Sequence, residues 1–400
     1  MASVADHDKQ VLLRRVKAVA IAMMTVQGVA VTLFLPLLAY FSNLFGLSAF
    51  GSGIIVGFWM VGLIVGGALA PLLVNIVTLK PLAMIAVALA ASGMLITGLS
   101  DSVEVLSVGR VVGGSASALL WITSFTWVLR VNDGPGAPQA LAAVVGFSSI
   151  GNLLGPLVGP LGIKYGFDPF FFAVFGLALL LLLPMSRMPA PSRLSNPGNH
   201  ISLLFTTRKI RSGVLANLVR NASLGSTFVL LPLLLTRQGF ASHSVAATYV
   251  VGALLTLPMS HLLGLIASRF GAWPTLRVLL VVMVLVPLAL PVLGSNVPIF
   301  VLSALIIGIG TASPVVYNSA FSEAAPANPE AGIRQIELMS WSMIVAGCGQ
   351  LFGAVFSGFL LNIGSFMLAF GVIAAVTLLV VARTSTAARA ARDGQPSIAH

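Results

Sequence analysis

Long apolar runs separated by short polar breaks set the pattern of this chain. Runs able to cross a hydrocarbon core of ~30 Å fall at 18–41, 49–74, 80–99, 103–128, 139–163 and 169–186. A second set falls at 212–236, 243–267, 273–293, 297–320, 334–361 and 364–382. The pattern predicts twelve helices. Asp101-Ser102-x-Glu104 reads as a capping box for the fourth, and Asp168-Pro169 and Asn328-Pro329-Glu330 read as caps with a first-turn proline for the sixth and eleventh. Residues 187–211, with Pro189, Pro191, Pro197 and Gly198, predict a linker, and 200–210 a short interfacial helix carrying Leu203, Leu204 and Phe205. The Ala- and Arg-rich stretch 384–400 predicts a disordered tail.

The runs repeat. Leu35-Pro36-Leu37-Leu38 returns as Leu231-Pro232-Leu233-Leu234, and Gly67-x-x-Ala70 as Gly264-x-x-Ala267. Gly114-Ser115-Ala116-Ser117 returns as Gly310-Thr311-Ala312-Ser313, and Gly151-Asn152-Leu153-Leu154-Gly155 as Gly349-Gln350-Leu351-Phe352-Gly353. Four matches in order at a near-constant offset imply two related six-helix halves, 1–186 and 212–383.

Composition turns these runs into membrane spans. Hydrophobic residues make up 58% and charged residues 8%, with a mean hydropathy of +1.04, far from soluble proteins. A net charge of +11 would point to nucleic acid in a soluble domain, but its placement excludes that reading. Of 21 Lys and Arg, 17 fall in the two tails and alternate loops, only Lys164 and Arg237 fall on the other side, and Arg110 and Arg220 fall inside spans. That asymmetry places both termini in the cytoplasm and makes basic charge a topology signal. The basic start (Arg14, Arg15, Lys17) precedes an apolar stretch too long for a signal core, so it reads as an uncleaved first helix. The single cysteine, Cys348, excludes an internal disulfide.

Span five carries Gly151-Asn152-Leu153-Leu154-Gly155-Pro156-Leu157-Val158-Gly159-Pro160. Bilayers tolerate such glycine and proline density, because neighbouring helices re-satisfy freed backbone groups and small residues permit close approach. The order G-x-x-x-G-P-x-x-G-P resembles the antiporter motif in span five of the drug/proton exporter branches of the major facilitator superfamily. Leu106-x-x-Gly109-Arg110-x-x-x-Gly114-x-Ala116 is similar to that family's arginine motif in span four. Gly264-Leu265-Ile266-Ala267-Ser268-Arg269-Phe270-Gly271 keeps the cytoplasmic loop motif, with Ser268 where an Asp is usual; the first-half copy, Gly67 to Pro71, carries neither acid nor arginine. The resemblance implies an all-α integral membrane protein, twelve helices in two six-helix halves around a central cavity, alternating access by rocking, and efflux of small amphipathic molecules driven by protons.

Polar groups inside spans are few. Arg110 sits about seven residues into span four, roughly 10 Å deep at 1.5 Å per residue, on one face with Gly114, Ser117 and Trp121. It reads either as a coupling or cavity arginine or as a hydrogen-bonding post for Gln27 and Asn152. Span seven carries Asn217, Arg220, Asn221 and Ser223; Arg220 is a coupling candidate or a side chain snorkelling to the interface. Glu337 is the candidate intramembrane carboxylate, paired with Arg220 or else with Arg334. His261 titrates or packs. Phe34, Trp121, Phe228, Tyr317 and Trp341 are candidate cavity aromatics, with Gln27, Ser117 and Asn152 as polar partners, and Trp127 and Trp273 read as interfacial belt residues. Gly151, Gly155, Pro156, Gly159 and Pro160 are expected to form the gate, and Gly264, Arg269 and Gly271 the loop motif.

No enzyme signature, phosphate-binding loop or metal-spaced cluster occurs, and no cofactor is implied. The sequence therefore points to a monomeric secondary transporter of the inner (plasma) membrane, exporting amphipathic or antibiotic-like compounds for protons. A carrier or uniporter of a defined metabolite is the alternative, and a non-transporting scaffold the alternative of another class.

Overall fold

A computed structural model describes residues 2–131, 137–189, 208–293, 297–317 and 331–393; within these, some helical side chains, including those of 158–160 and 331–339, fall outside the described set. The described residues form helices and no strands. Eleven helices are long and apolar enough to cross a membrane: Val11–Leu44, Ala49–Val74, Leu79–Gly98, Val103–Val128, Asp168–Ser186, Ile210–Arg237, Ser242–Phe270, Ala272–Val292, Val297–Tyr317, Ser340–Ile363 and Phe366–Arg383. The unbroken helix Ala137–Tyr165, 29 residues long, occupies the place of span five. Numbered in chain order, these are spans one to twelve.

Local chemistry sets the ends and bends. Span one breaks after Thr32 into a 3-10 turn, Leu35–Leu37, before resuming at Leu38–Leu44. Pro36 lacks an N–H and its ring conflicts with the carbonyl one turn earlier, which accounts for the break. The cap of span four falls one residue later than the sequence leads one to expect: the helix starts at Val103, and Ser102 Oγ accepts from Val105 N at 3.4 Å. Span six starts one residue earlier, at Phe167, after Gly166 at φ +91°, so Asp168 is a first-turn residue and not the cap. The cap expected at Asn328 and the interfacial helix expected from 200 lie outside the described residues. At the far end, the helix of span twelve continues to Asp393 where a disordered tail was expected from 384.

Packing follows the repeat. In the first half span one packs on five, two on four, and three on six; in the second, seven packs on eleven, eight on ten, and nine on twelve. The halves meet through two against eleven and five against eight, pairs that the repeat exchanges. Glycine brings backbones together at these crossings. A methyl added at Gly151 or Gly155 would overlap span one at Thr25 O or Thr32 Oγ1, and at the equivalent Gly349 or Gly353 it would overlap span seven at Leu218 O or Ala222 O. Spans two and eleven touch along most of their length, from Ala49 against Gly358 to Gly67 against Ser340. One asymmetry matters: span four packs closely on spans one and three, whereas span ten stands off from its counterparts. An apolar gap lined by Leu224, Thr227, Met283, Ile306, Ile309 and Gly310 opens there.

The outer surface is apolar. Leu177, Val278 and Leu379, on spans six, nine and twelve, are 68%, 65% and 67% exposed, an arrangement stable only where lipid replaces water. Trp127, expected at the interface, is buried and belongs to the same first-half core cluster as Leu120 and Met24.

Candidate functional site

The interior polar groups gather on spans one, four, seven, ten and eleven. On span four, Arg110 is buried, with its guanidinium carbon 4.2 Å from the Phe34 ring centre and 4.5 Å from that of Trp59. The break in span one places Phe34, and Gly113 makes room for Trp59, whose ring an added methyl there would strike. A planar guanidinium over two ring faces gains cation–π attraction of about 2 kcal/mol per ring when desolvated. Arg110 Nε has no hydrogen-bond partner among the described residues. The expected post between Gln27 and Asn152 is not what the side chains form: Gln27 Nε2 donates instead to Ser117 Oγ at 3.0 Å, and Asn152 is half-buried on span five. One turn beyond Ser117, Trp121 meets Phe125 with ring centres 4.8 Å apart.

Span seven carries a larger network. Arg220 is buried and does not snorkel: Nη1 donates to Ser313 Oγ on span ten at 2.7 Å and Nη2 to Asn217 Oδ1 at 3.2 Å, while Nε has no partner among the described residues. Asn221 Nδ2 also donates to Asn217 Oδ1, at 2.8 Å, and Gln350 Nε2 on span eleven donates to Asn221 Oδ1, at 2.8 Å. Asn217 Nδ2 reaches Ser342 O at 3.3 Å. The Tyr317 ring centre lies 5.5 Å from the Arg220 guanidinium, and its hydroxyl pairs with Ser342. The long arginine bridges the wider gap between spans seven and ten, where the first half needs only Gln27.

Two features of this site escaped the sequence reading although one signal held them. Trp121 and Tyr317 stand in the same offset as Ser117 and Ser313, so each half presents a serine and, one turn on, an aromatic ring. Gln350, recognised as the repeat of Asn152, is a network member. Trp59 and Ser342 carried no such signal.

The remaining candidates are scattered. Trp341 is half-buried beside Ser342, Phe228 is buried in the core, and His261 is exposed on span eight. Glu337 lies on the helix Ala331–Ile363, but its side chain is outside the described residues. Gly151 and Gly155 face span one within their own half, Pro156 is buried in an unbroken helix, and the side chains of Gly159 and Pro160 lie outside the described residues. Gly264 has room around it, Arg269 lies 5.6 Å from the Phe270 ring, and Gly271, at φ +88°, joins spans eight and nine. Lys80, not anticipated, donates from Nζ to Ser186 O and Met188 O at 2.7 and 2.6 Å, holding the end of span six.

Two six-helix repeats spanning a membrane, with interior polar groups on repeat-related helices, define a multi-pass membrane carrier. The chain belongs to the major facilitator superfamily, whose family model matches residues 20–333. It is therefore a transporter and not an enzyme. It is similar to an uncharacterized MFS-type transporter of Yersinia pseudotuberculosis, 27% identical over 281 residues that cover 68% of this chain and 69% of the relative. Among solved structures it resembles a point mutant of the nucleoside transporter NupG, with a TM-score of 0.72, 15% identity and coverage of 94% and 99%. It also resembles the human organic anion transporter MFSD10, with a TM-score of 0.69, 16% identity and coverage of 92% and 98%. At such identities the structural likeness shows the fold alone.

Proposed function

We propose that the protein carries small amphipathic compounds out across the inner membrane by alternating access, in exchange for protons, as a monomer with both termini in the cytoplasm. The observation that carries the reading is the pair of repeat-related serine–aromatic sites, Ser117 with Trp121 and Ser313 with Tyr317, each bonded from the neighbouring helix inside an otherwise apolar bundle. Such a site offers ring faces for an apolar body and a few hydrogen bonds for orientation. The halves 1–186 and 212–383, tied by the linker 187–211, rock about the crossings of two on eleven and five on eight. Outward direction and proton exchange rest on the exporter-like motif of span five.

One observation favours a second reading, uniport of a neutral or anionic metabolite. The chain has ten acids, and those within the spans, Glu104, Asp168 and Glu337, stand near helix ends, with no ion pair to either buried arginine among the described residues. An exchanger lacking a carboxylate at the depth of its site needs another proton carrier. Proteoliposomes loaded with substrate decide between them. Acceleration of efflux by an inward proton gradient, with matching proton uptake, supports exchange; identical rates with and without the gradient support uniport. A pump-deficient bacterium expressing the protein, grown across a panel of toxic compounds, tests direction: resistance to none of them counts against export.

A further inference from the structure

We propose that the Arg220 cluster is the subsite for an anionic group, so that the compounds carried are amphipathic organic anions. This rests on the reading of the protein as a carrier of small amphipathic compounds. Arg220 is buried, yet its terminal nitrogens donate only to neutral oxygens, Ser313 Oγ and Asn217 Oδ1, and Nε donates to nothing among the described residues. A buried guanidinium is normally neutralised, because an uncompensated charge in a low-dielectric interior is strongly unfavourable. Among the described residues no acid pairs with it: Asp101 and Glu104 stand at the start of span four and Asp168 at the start of span six, and the bonds of Arg220 all go to neutral groups. The second buried cation, Arg110, is held by rings and also lacks an acid among the described residues. The interior thus carries two positive charges with no ion-pair partner among the described residues, and a negatively charged cargo supplies one.

The cluster is also built to exchange partners. Asn217 Oδ1 keeps the bond from Asn221 Nδ2 when Arg220 leaves it, and the Ser313 hydroxyl keeps its own bond to Gly310 O at 2.6 Å. Turning the guanidinium onto a carboxylate therefore strands neither acceptor, and it gives Nε and a terminal nitrogen the two parallel bonds that a carboxylate accepts. Half-buried Gln350 and Ser342 stand beside it with donors of their own. Trp121 and Phe125, at the repeat-related position on span four, provide rings for the apolar part.

The test uses one aromatic body with three heads: 2-naphthoate, 2-naphthamide and 2-naphthylmethylammonium. Binding to the wild-type protein in lipid nanodiscs is measured by equilibrium dialysis, and flux in proteoliposomes. Wild type is expected to bind the carboxylate at least tenfold more tightly than the amide and to bind the ammonium weakest. Arg220→Gln is expected to collapse the carboxylate-to-amide ratio to near one, while Arg220→Lys retains part of it. The head-group order in wild type needs no variant, so a misfolded variant leaves the proposal exposed to refutation. If the amide or the ammonium binds and moves as well as the carboxylate, the carrier reading stands and the anion subsite is overturned. If Arg220→Gln keeps the wild-type ratio, the subsite lies elsewhere. If none of the three binds or moves, both readings fail.

Discussion

Gly114→Ala should separate the spans that hold Arg110. Spans two and four cross through Gly62, Gly66, Gly113 and Gly114. A methyl on Gly114 would overlap the Trp59 carbonyl oxygen and stand 2.9 Å from its carbon and 3.1 Å from Leu63 N. Backbone cannot swing aside as a side-chain tip does, so the helices must part by on the order of 1 Å to restore contacts near 3.5–4.0 Å. Overpacking of this kind costs about 1–3 kcal/mol, and the better helix propensity of alanine returns less than about 1 kcal/mol. A net loss of about 1–2 kcal/mol changes the folded-to-unfolded ratio by roughly 5–30-fold. Gly176→Ala on span six and Gly371→Ala on span twelve serve as controls, since nothing lies within 4 Å of a methyl at either position. Thermal unfolding in one detergent, followed by size-exclusion of a fluorescent fusion, should place Gly114→Ala below wild type and both controls at or above it. Equal melting of Gly114→Ala and Gly176→Ala would refute the backbone-crossing argument.

Other expectations follow from single contacts. Arg110→Met should keep more stability than Arg110→Lys, by about 1–3 kcal/mol, because an ammonium loses the flat fit between Phe34 and Trp59 and retains the desolvation cost; the reverse order in detergent melts would show that planarity is irrelevant. Gly271→Ala should cost about 1–3 kcal/mol, since φ +88° with ψ 148° is a backbone region almost confined to glycine, whereas Gly264→Ala, with its nearest neighbour at 3.9 Å, should melt like wild type. Lys80→Met removes both bonds to the last carbonyls of span six, worth about 1–3 kcal/mol, and should speed tryptic cleavage at Arg187; an unchanged cleavage rate would mean those bonds do not hold that end. A carboxyl-terminal fluorescent fusion should glow while a phosphatase fusion there stays inactive, and active phosphatase would invert the proposed topology.

The sequence by itself determined the membrane class, the number of spans and the two-fold repeat. Each is a one-dimensional property: run length against bilayer thickness, composition against solvent, and residue identity at a fixed offset. The offset even held the Trp121–Tyr317 equivalence, because repeat-related helices inherit the same neighbours. It also identified Arg110, Arg220, Asn217 and Asn221 as interior, since charge or amide inside an apolar run is conspicuous.

Tertiary structure alone decided what those groups touch. Whether Arg110 bonds amides or packs on rings depends on the bend at Pro36 and on Gly113, which together bring the rings of Phe34 and Trp59 against it. Whether Arg220 snorkels or bridges depends on the gap left by span ten, a spacing between helices that no periodicity along one helix records. Residue type and hydropathy fix what must leave water. Helix register and the distance between neighbouring backbones fix which buried groups meet.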